Sequence, residues 1–272
     1  MAIAANIPGR HFLRHFGQGR SLVYQLVRRD FEQRYVGSII GWLWGVIHPV
    51  VLLAVYTFVF SYAFGAKLPR GEVTDNYPLF LFAGMLPWLL FQETLTRSAP
   101  SVVEYANLIK KSVFPSEVVP LSILISSVIS HLISLAVLVV ATAIWVRELH
   151  ATLLFLPVFV FLLGLLSLGL SWIAAGLQVY LRDTAQVLTV ILTAWFWLTP
   201  VFMPESYFRG RADFLLTWNP VALVVRGYRD TILGGRLPAL GDLAMLTAFS
   251  VGLFLAGALF FRYTKRGFAD VM

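Results

Sequence analysis

The chain has 272 residues, of which 58% are apolar and only 13% are charged, and its formal net charge is +7 at pH 7. Soluble domains carry roughly 45–50% apolar and about 25% charged residues, so this composition excludes an ordinary soluble protein and predicts a single all-α integral membrane domain over residues 1–272. Cysteine is absent, which excludes disulfides, thiolate chemistry and cysteine-ligated metals. In so apolar a chain, the positive charge indicates contact with anionic lipid or a protein partner, not with nucleic acid.

Six segments are predicted to cross the membrane as helices, because a span needs about 20 mostly apolar residues. They cover residues 39–64, 77–96, 118–146, 150–181, 184–203 and 243–261. Most arginines and lysines fall in segments that six spans place on the same side as the N-terminus. The positive-inside rule therefore predicts that both termini are cytoplasmic.

Two further helices are predicted on the cytoplasmic side. Residues 21–36 place an apolar side chain at every fourth position, which predicts an amphipathic helix lying along the membrane surface. Residues 101–111 begin with Ser101 followed three positions later by Glu104. This is the spacing of a capping box and predicts that a short helix starts there.

Residues 205–240 form a long excursion before the last predicted span. Within it, Asn219–Pro220 interrupts an uncharged apolar piece that is too short to cross the membrane. The pattern predicts a re-entrant helix pair on the periplasmic side. Non-helical backbone at membrane depth is tolerated only where protein or water covers it, so the pair indicates a lined passage. Arg226 and Asp230 lie four positions apart on the second helix, the spacing of a structural ion pair. The alternative is that these two residues and Arg229 contact diphosphate or acidic sugar groups.

Several kinds of active site lack their residues in this sequence. It contains neither a G-x-x-x-x-G-K-[ST] phosphate loop nor an H-E-x-x-H motif, and its histidines are scattered along the chain. The predicted spans hold almost no ionisable groups, whereas ion-coupled transporters keep such groups in the membrane. No catalytic, cofactor-binding or metal-binding residue is therefore predicted in this chain.

Aromatic residues near the ends of two predicted spans have two interpretations. Tyr56 and Phe60 belong to the first span, and Trp195 and Trp197 belong to the fifth. Aromatic residues at membrane interfaces commonly face lipid. Aromatic faces also stack on sugar rings, so a passage for polysaccharide would use the same residues.

Five pieces of the sequence, in order, resemble the permease subunits of type-2 ABC exporters, and among them the exporters of O-antigen, capsule and teichoic-acid polysaccharides. The pieces are RRDFEQRYVGSIIGWLWGVIHP from Arg28, NLIKKSVFPSEVVP from Asn107, YLRDTAQVL from Tyr180, WFWLTPVFMP from Trp195 and NPVALVVRGYRDTILGG from Asn219. Each piece falls at the topological position that the apolar pattern had assigned to it. Together they cover most of the chain.

The resemblance implies a channel-forming permease, paired with a second copy of itself, that exports lipid-linked polysaccharide across the bacterial cytoplasmic (inner) membrane. The substrate would be O-antigen-like and linked to undecaprenyl diphosphate. ATP and Mg would be bound by two copies of a separate nucleotide-binding subunit, so this chain would not itself be an enzyme. The resemblance places the contact with that subunit on the two cytoplasmic helices, at Arg28, Arg29, Asp30, Arg34, Glu104, Asn107, Leu108, Ile109 and Lys110. It places the substrate passage at Arg34, Tyr56, Phe60, Trp195, Trp197, Tyr228 and Arg229.

Two other functions remain open from the sequence. A type-2 ABC exporter of a drug or lipid would have the same architecture. A membrane-embedded glycolipid enzyme would also carry aromatic residues and cytoplasmic arginines, but it would need an acidic residue at mid-membrane depth, which the sequence lacks.

Overall fold

The computed structural model describes residues 20–34, 38–111 and 115–271. All regular secondary structure in these ranges is helical. The α-helices are α1 (Arg20–Gln33), α2 (Trp44–Tyr56), α3 (Tyr77–Glu104), α4 (Ala106–Lys111), α5 (Val118–Trp145), α6 (Leu156–Tyr180), α7 (Thr184–Leu198), α8 (Asp213–Thr217), α9 (Pro220–Ile232), α10 (Leu240–Thr264) and α11 (Phe268–Val271). A wider π-type segment, Thr57–Ala63, continues α2, and a 3-10 segment, Ala151–Phe155, leads into α6.

Five helical stretches of the described residues are long and apolar enough to cross a membrane. They are Trp44–Ala63, Tyr77–Glu104, Val118–Trp145, Ala151–Tyr180 and Leu240–Gly267. They coincide with five of the six predicted spans, which confirms an all-helical chain with several candidate spans. The fifth predicted span, residues 184–203, holds only α7 with 15 residues. A helix of that length covers about 22 Å, less than the roughly 30 Å hydrocarbon core. A membrane crossing by residues 184–203, and with it the total of six spans, therefore stays a prediction.

α7 ends at Leu198 because Pro200 lacks a backbone N–H and disfavours helical geometry in the residue before it. That residue, Thr199, is extended, with φ −100° and ψ 134°. The chain then stays non-helical through Pro204. Thr199–Pro204 is called the unwound segment below.

α3 lies at the centre of the molecule. It packs against α5, α6, α7 and α9, and most of its side chains are buried, including Trp88 and Phe91. A helix that is apolar on nearly all sides is expected in such a position. α2 and α10, in contrast, are mostly exposed in the single chain.

α6 and α10 approach each other so closely that their backbones touch. A Cβ atom added at Gly257 would lie 2.1 Å from the carbonyl oxygen of Gly169, and one added at Gly169 would lie 2.3 Å from the carbonyl oxygen of Leu253. Small residues are the usual means by which membrane helices come this close. Glycine is therefore required at both positions.

The predicted cytoplasmic helix 101–111 is divided into two parts. α3 continues without interruption to Glu104, and α4 begins at Ala106. The prediction that Ser101 starts a helix is wrong, because Ser101 lies inside α3 and its hydroxyl donates to the Ser98 carbonyl at 2.7 Å. An i, i+3 pattern alone does not separate a helix start from a helix interior.

The amphipathic helix is present as α1, which packs on α5. Tyr35 and Val36, which were predicted to end it, lie outside the described residues. Its position on a membrane surface stays a prediction.

The excursion contains two short helices, α8 and α9, joined at Asn219. The Asn219 Oδ1 atom caps α9 by accepting hydrogen bonds from the backbone N–H groups of Val221 and Ala222, at 3.1 and 3.3 Å. A re-entrant course of these helices in a membrane stays a prediction.

The predicted ion pair between Arg226 and Asp230 is wrong. The Arg226 guanidinium instead lies 2.7 Å from a Glu205 carboxylate oxygen and 2.6 Å from one of Asp242. The arginine side chain is long enough to reach residues outside its own helix. Here the carboxylates of Glu205 and Asp242 bind it in place of Asp230.

Candidate functional site

Two acidic and two basic side chains form a closed ring where α1 meets α3. Arg34 Nη1 lies 2.7 Å from Glu93 Oε1, and Arg97 Nη1 lies 3.4 Å from the same oxygen. Arg97 Nη2 is bonded to Asp30 Oδ1, and Arg34 Nε lies 3.6 Å from Asp30 Oδ2. The charges alternate in sign around the ring, so every member has an opposite charge on both sides. Asp30, Arg34, Glu93 and Arg97 are called the charged ring below.

The charged ring also binds α5. Arg34 donates to the hydroxyl of Ser130 at 2.9 Å and to that of Ser127 at 3.3 Å. Glu93 and Arg97 lie four positions apart on one face of α3, and Asp30 of α1 has the same spacing to Arg34, the residue that follows the end of α1. The ring thus fastens α1 to two of the candidate spans at once.

A polar cleft of about 530 Å³ opens beside the charged ring, between α2, α3 and α5. Its polar and aromatic lining consists of Arg34, Trp44, His48, Gln92, Glu93, Thr96, Ser127, Ser130, His131 and Ser134. It offers hydroxyl, amide, guanidinium and carboxylate groups, and the indole of Trp44 is half exposed. The rest of the lining is mostly apolar, with Pro49, Leu86, Leu89 and Leu90. Such a mixed lining suits a ligand with hydroxyl groups and apolar faces.

The aromatic residues predicted to line a passage come together from distant parts of the chain. The Phe60 ring lies 6.2 Å from the Phe202 ring, and Trp197 stacks on Phe202 at 5.9 Å between ring centroids. Phe60 is half-buried, whereas Trp197 is 64% exposed at the edge of the cluster. Tyr56, also half-buried, contacts Phe60. The first and fifth predicted spans are therefore neighbours at this end.

Arg28 and Arg29 of α1 are exposed. Arg28 pairs with Glu32 at 2.7 Å, and this hydrogen bond raises the pKa of Arg28. The Arg29 guanidinium lies 5.8 Å from the ring centroid of Tyr105, the residue between α3 and α4. Asp30 and Arg34, by contrast, point into the charged ring and away from any surface that a partner would meet.

The second predicted contact helix presents Glu104 and Asn107 to the outside. Ile109 is half-buried against the apolar cluster that includes Val102. The side chains of Leu108 and Lys110 lie outside the described residues. Glu104 and Asn107, together with Arg28 and Arg29, are therefore the predicted partner-contact residues that the structure leaves exposed.

Three residues predicted to line the passage make internal contacts instead. Tyr228 is 0% exposed, and Arg229 is 4% exposed. Trp195 is half-buried, and its indole N–H donates to Asn219 Oδ1 at 3.0 Å. In the single chain neither Tyr228 nor Arg229 presents a surface to a passage.

Sequence reasoning missed the residues of α3 and α5 that complete the site. Glu93 and Arg97 share the spacing of a helical ion pair at the end of the second predicted span, and this signal was available. Ser127, Ser130 and Ser134 follow each other at intervals of three and four, which places their hydroxyls along one face of an otherwise apolar helix. The joining of these two faces by α1 could be seen only in the structure.

Comparison with known proteins gives consistent matches along the chain. A family model described as ABC-2 type transporter matches residues 21–233. The chain is 29% identical to the O-antigen export system permease protein RfbA of Myxococcus xanthus over 260 residues, which cover 95% of this chain and 98% of the relative. It is 26% identical to the protein of the same name from Klebsiella pneumoniae over 252 residues, 92% of this chain and 95% of the relative. It is 25% identical to the polysialic acid transport protein KpsM of Escherichia coli over 246 residues, 88% of this chain and 92% of the relative. Because the family model covers more than half of its length, this chain belongs to the ABC-2 type transporter membrane family.

Proposed function

We propose that this chain is the membrane-embedded permease of an ATP-driven polysaccharide exporter. The names of its relatives support this function, and one structural observation carries it. The charged ring fastens the amphipathic helix α1 to α3 and α5 beside the polar cleft. A displacement of α1 by a partner would therefore reach two candidate spans and the cleft wall directly.

The energy source would be a separate nucleotide-binding subunit that binds ATP and Mg, because this sequence has no phosphate loop. Two copies of that subunit and two of the permease would form the exporter. The exposed residues Arg28, Arg29, Glu104 and Asn107 would form the contact surface. The contact between Arg29 and Tyr105 joins the two halves of this surface.

The substrate would be a lipid-linked polysaccharide that enters from the cytoplasmic leaflet of the inner membrane. In the polar cleft, the diphosphate of the lipid carrier would compete with Glu93 for the guanidinium of Arg34. Hydroxyl and amide groups such as those of Thr96 and Gln92 are suited to sugar hydroxyls, and Trp44 offers a face for one ring. The glycan would then pass between the two permeases, along α2 and α7.

The partner surface is tested with a double substitution, Glu104→Arg with Asn107→Trp. Both side chains are exposed, so folding should be unaffected. Reversal of a charge and addition of a bulky ring at a contact surface disfavour association, since like-charge juxtaposition at an interface costs several kcal/mol. Recovery of the nucleotide-binding subunit with the purified permease should therefore fall at least about tenfold. ATPase activity in the permease fraction should fall with it.

The matched control is Arg209→Glu with Arg211→Glu, which changes two exposed residues of the excursion between α7 and α8. The proposed orientation places this region on the opposite side of the membrane, so the control should leave recovery unchanged. Equal recovery of the partner with both double variants would contradict the proposed surface.

The cleft is tested by Trp44→Ala in the purified complex in lipid nanodiscs. Loss of the indole face should raise severalfold the concentration of lipid-linked glycan that half-maximally stimulates ATP hydrolysis, while basal hydrolysis stays the same. Trp44→Phe, which keeps an aromatic face, should stay near the wild-type value. Stimulation by the lipid carrier alone, equal to that by the glycan-bearing lipid, would point instead to a lipid exporter.

A further inference from the structure

Three consecutive carbonyl groups of the unwound segment each accept a hydrogen bond from a side chain of another helix. Arg229 of α9 donates from Nη1 to the Pro200 oxygen at 2.7 Å and from Nη2 to the Val201 oxygen at 2.6 Å. The hydroxyl of Tyr77, at the start of α3, donates to the Phe202 oxygen at 2.8 Å. These donors take the place of helical N–H groups, which the chain does not supply here because it is not helical and because residue 204 is proline.

Such replacement matters in a membrane protein. A carbonyl group without a donor in an apolar environment costs several kcal/mol, so irregular backbone needs partners from the protein. Pro200 ends α7 at this point, which leaves the carbonyl groups after it without helical donors. The unwound segment therefore keeps its conformation only as long as the donors from α9 and α3 stay in place.

Further contacts with α3 hold the Arg229 side chain in the position from which it binds the unwound segment. Its third hydrogen bond, from Nε, goes to the Phe80 carbonyl at 3.2 Å, and its guanidinium carbon lies 3.5 Å from the centroid of the Phe80 ring. Gly84 makes room for it, because a Cβ atom there would lie 2.6 Å from Arg229 Nη2. All three hydrogen bonds go to backbone oxygens, and two neighbouring oxygens fit the planar fork of arginine, which lysine cannot reproduce.

α9 itself is fixed on its other side. The Tyr228 hydroxyl lies 2.8 Å from Nε2 of His131 in α5. Gly227 lies directly under Phe159 of α6, since a Cβ atom at Gly227 would be 2.2 Å from the Phe159 ring. α9 is thus a fixed frame, and Arg229 transmits its position to the unwound segment.

We propose that Arg229 is a positioning residue that latches the unwound segment to α9 and thereby keeps the outer end of the passage closed. This inference rests on the proposed function for the direction of transport and for which end is outer. The latched segment directly follows Trp197 at the edge of the aromatic cluster. Movement of α7 during export would have to break the latch or move α9 along with it.

The test uses cysteine accessibility, because the chain contains no cysteine. Val201→Cys introduces a thiol of similar size at a position that is 0% exposed. The permease is expressed with its nucleotide-binding subunit, and a membrane-impermeant maleimide is added from the periplasmic side. Because lysine cannot bridge the two neighbouring carbonyl oxygens as arginine does, Arg229→Lys in this background should increase the labelling rate at least about tenfold.

The control position is Met203→Cys, which is 52% exposed in the same segment. It should label at the same rate with Arg229 and with Arg229→Lys, after correction for the amount of folded complex recovered by size-exclusion chromatography.

If Arg229→Lys does not accumulate, Gly84→Ala provides a second variant. It keeps the arginine but places a methyl group 2.6 Å from its Nη2 atom, and it should also accelerate labelling of Val201→Cys.

Slow labelling of Val201→Cys in both variants would overturn the latch, and so would fast labelling with Arg229 intact. The labelling rate does not depend on what the exporter carries. A complex that shows the latch but exports no polysaccharide would therefore overturn the proposed function and leave the latch standing.

Discussion

Replacing Gly257 with valine is expected to prevent α10 from packing against α6 and to abolish accumulation of folded protein. The first added carbon would lie 2.1 Å from the carbonyl oxygen of Gly169, and a backbone oxygen cannot move aside as a flexible side chain can. Forcing extra carbons into such a contact should cost at least about 3 kcal/mol of stability. The measurement is the yield and thermal stability of the detergent-solubilised permease by fluorescence-detected size-exclusion chromatography.

Gly252→Ala is the matched control, in the same helix. A Cβ atom at Gly252 meets no atom within 4 Å. Alanine is favoured over glycine in a helix interior by roughly 0.5–1 kcal/mol, so this variant should be as stable as the wild type or slightly more so. Equal loss of yield in both variants would show that α6 and α10 do not touch through Gly169 and Gly257.

Asp30→Ala is expected to loosen the attachment of α1 to α3, so that the complex still hydrolyses ATP but exports less polysaccharide. The Asp30 side chain is 13% exposed, and its loss leaves Arg34 and Arg97 with the single carboxylate of Glu93. Removing one partner from a buried ion pair costs about 3–5 kcal/mol, and the lower end applies because the other members of the charged ring keep part of their exposure. The complex should still hydrolyse ATP but export markedly less polysaccharide in a reconstituted assay.

Two comparisons separate this effect from a general loss of charge. Glu32→Ala removes half of an exposed ion pair on the same helix and should leave both stability and export unchanged. Asp30→Asn and Arg97→Gln should be clearly non-additive, because the two side chains bind each other. Additive losses in the double variant would mean that the charged ring does not act as a unit.

The membrane class and most of the helix positions could be predicted from the sequence because they depend on local properties. An uncharged apolar stretch such as residues 118–146 is long enough to span whatever its neighbours are, and α5 coincides with it within a residue. The capping of α9 by Asn219 likewise uses donors two and three residues away. The helix in the predicted fifth span ends at Leu198, before the predicted end of the span, because the apolar character of residues 199–203 hid the break at Pro200.

Side-chain pairing, in contrast, was decided by the tertiary structure. The spacing of Arg226 and Asp230 predicted a pair that does not form. The carboxylates that Arg226 does bind belong to Glu205 and Asp242, which lie 21 and 16 positions away along the chain. The charged ring was half visible, since it consists of two acid–base pairs at a spacing of four. Its closure depends on the packing of α1 on α5, which brings Asp30 and Arg34 beside Glu93 and Arg97.

The sequence by itself determined that this protein is a helical membrane permease, because apolar length, charge asymmetry and short family motifs are written along the chain. Only the tertiary structure decided the contacts of Arg229, which the family resemblance had assigned to a passage surface. Its side chain reaches a carbonyl group 149 positions away. A side chain that binds the backbone can use any residue type as its acceptor, so the contact leaves no pattern in the sequence.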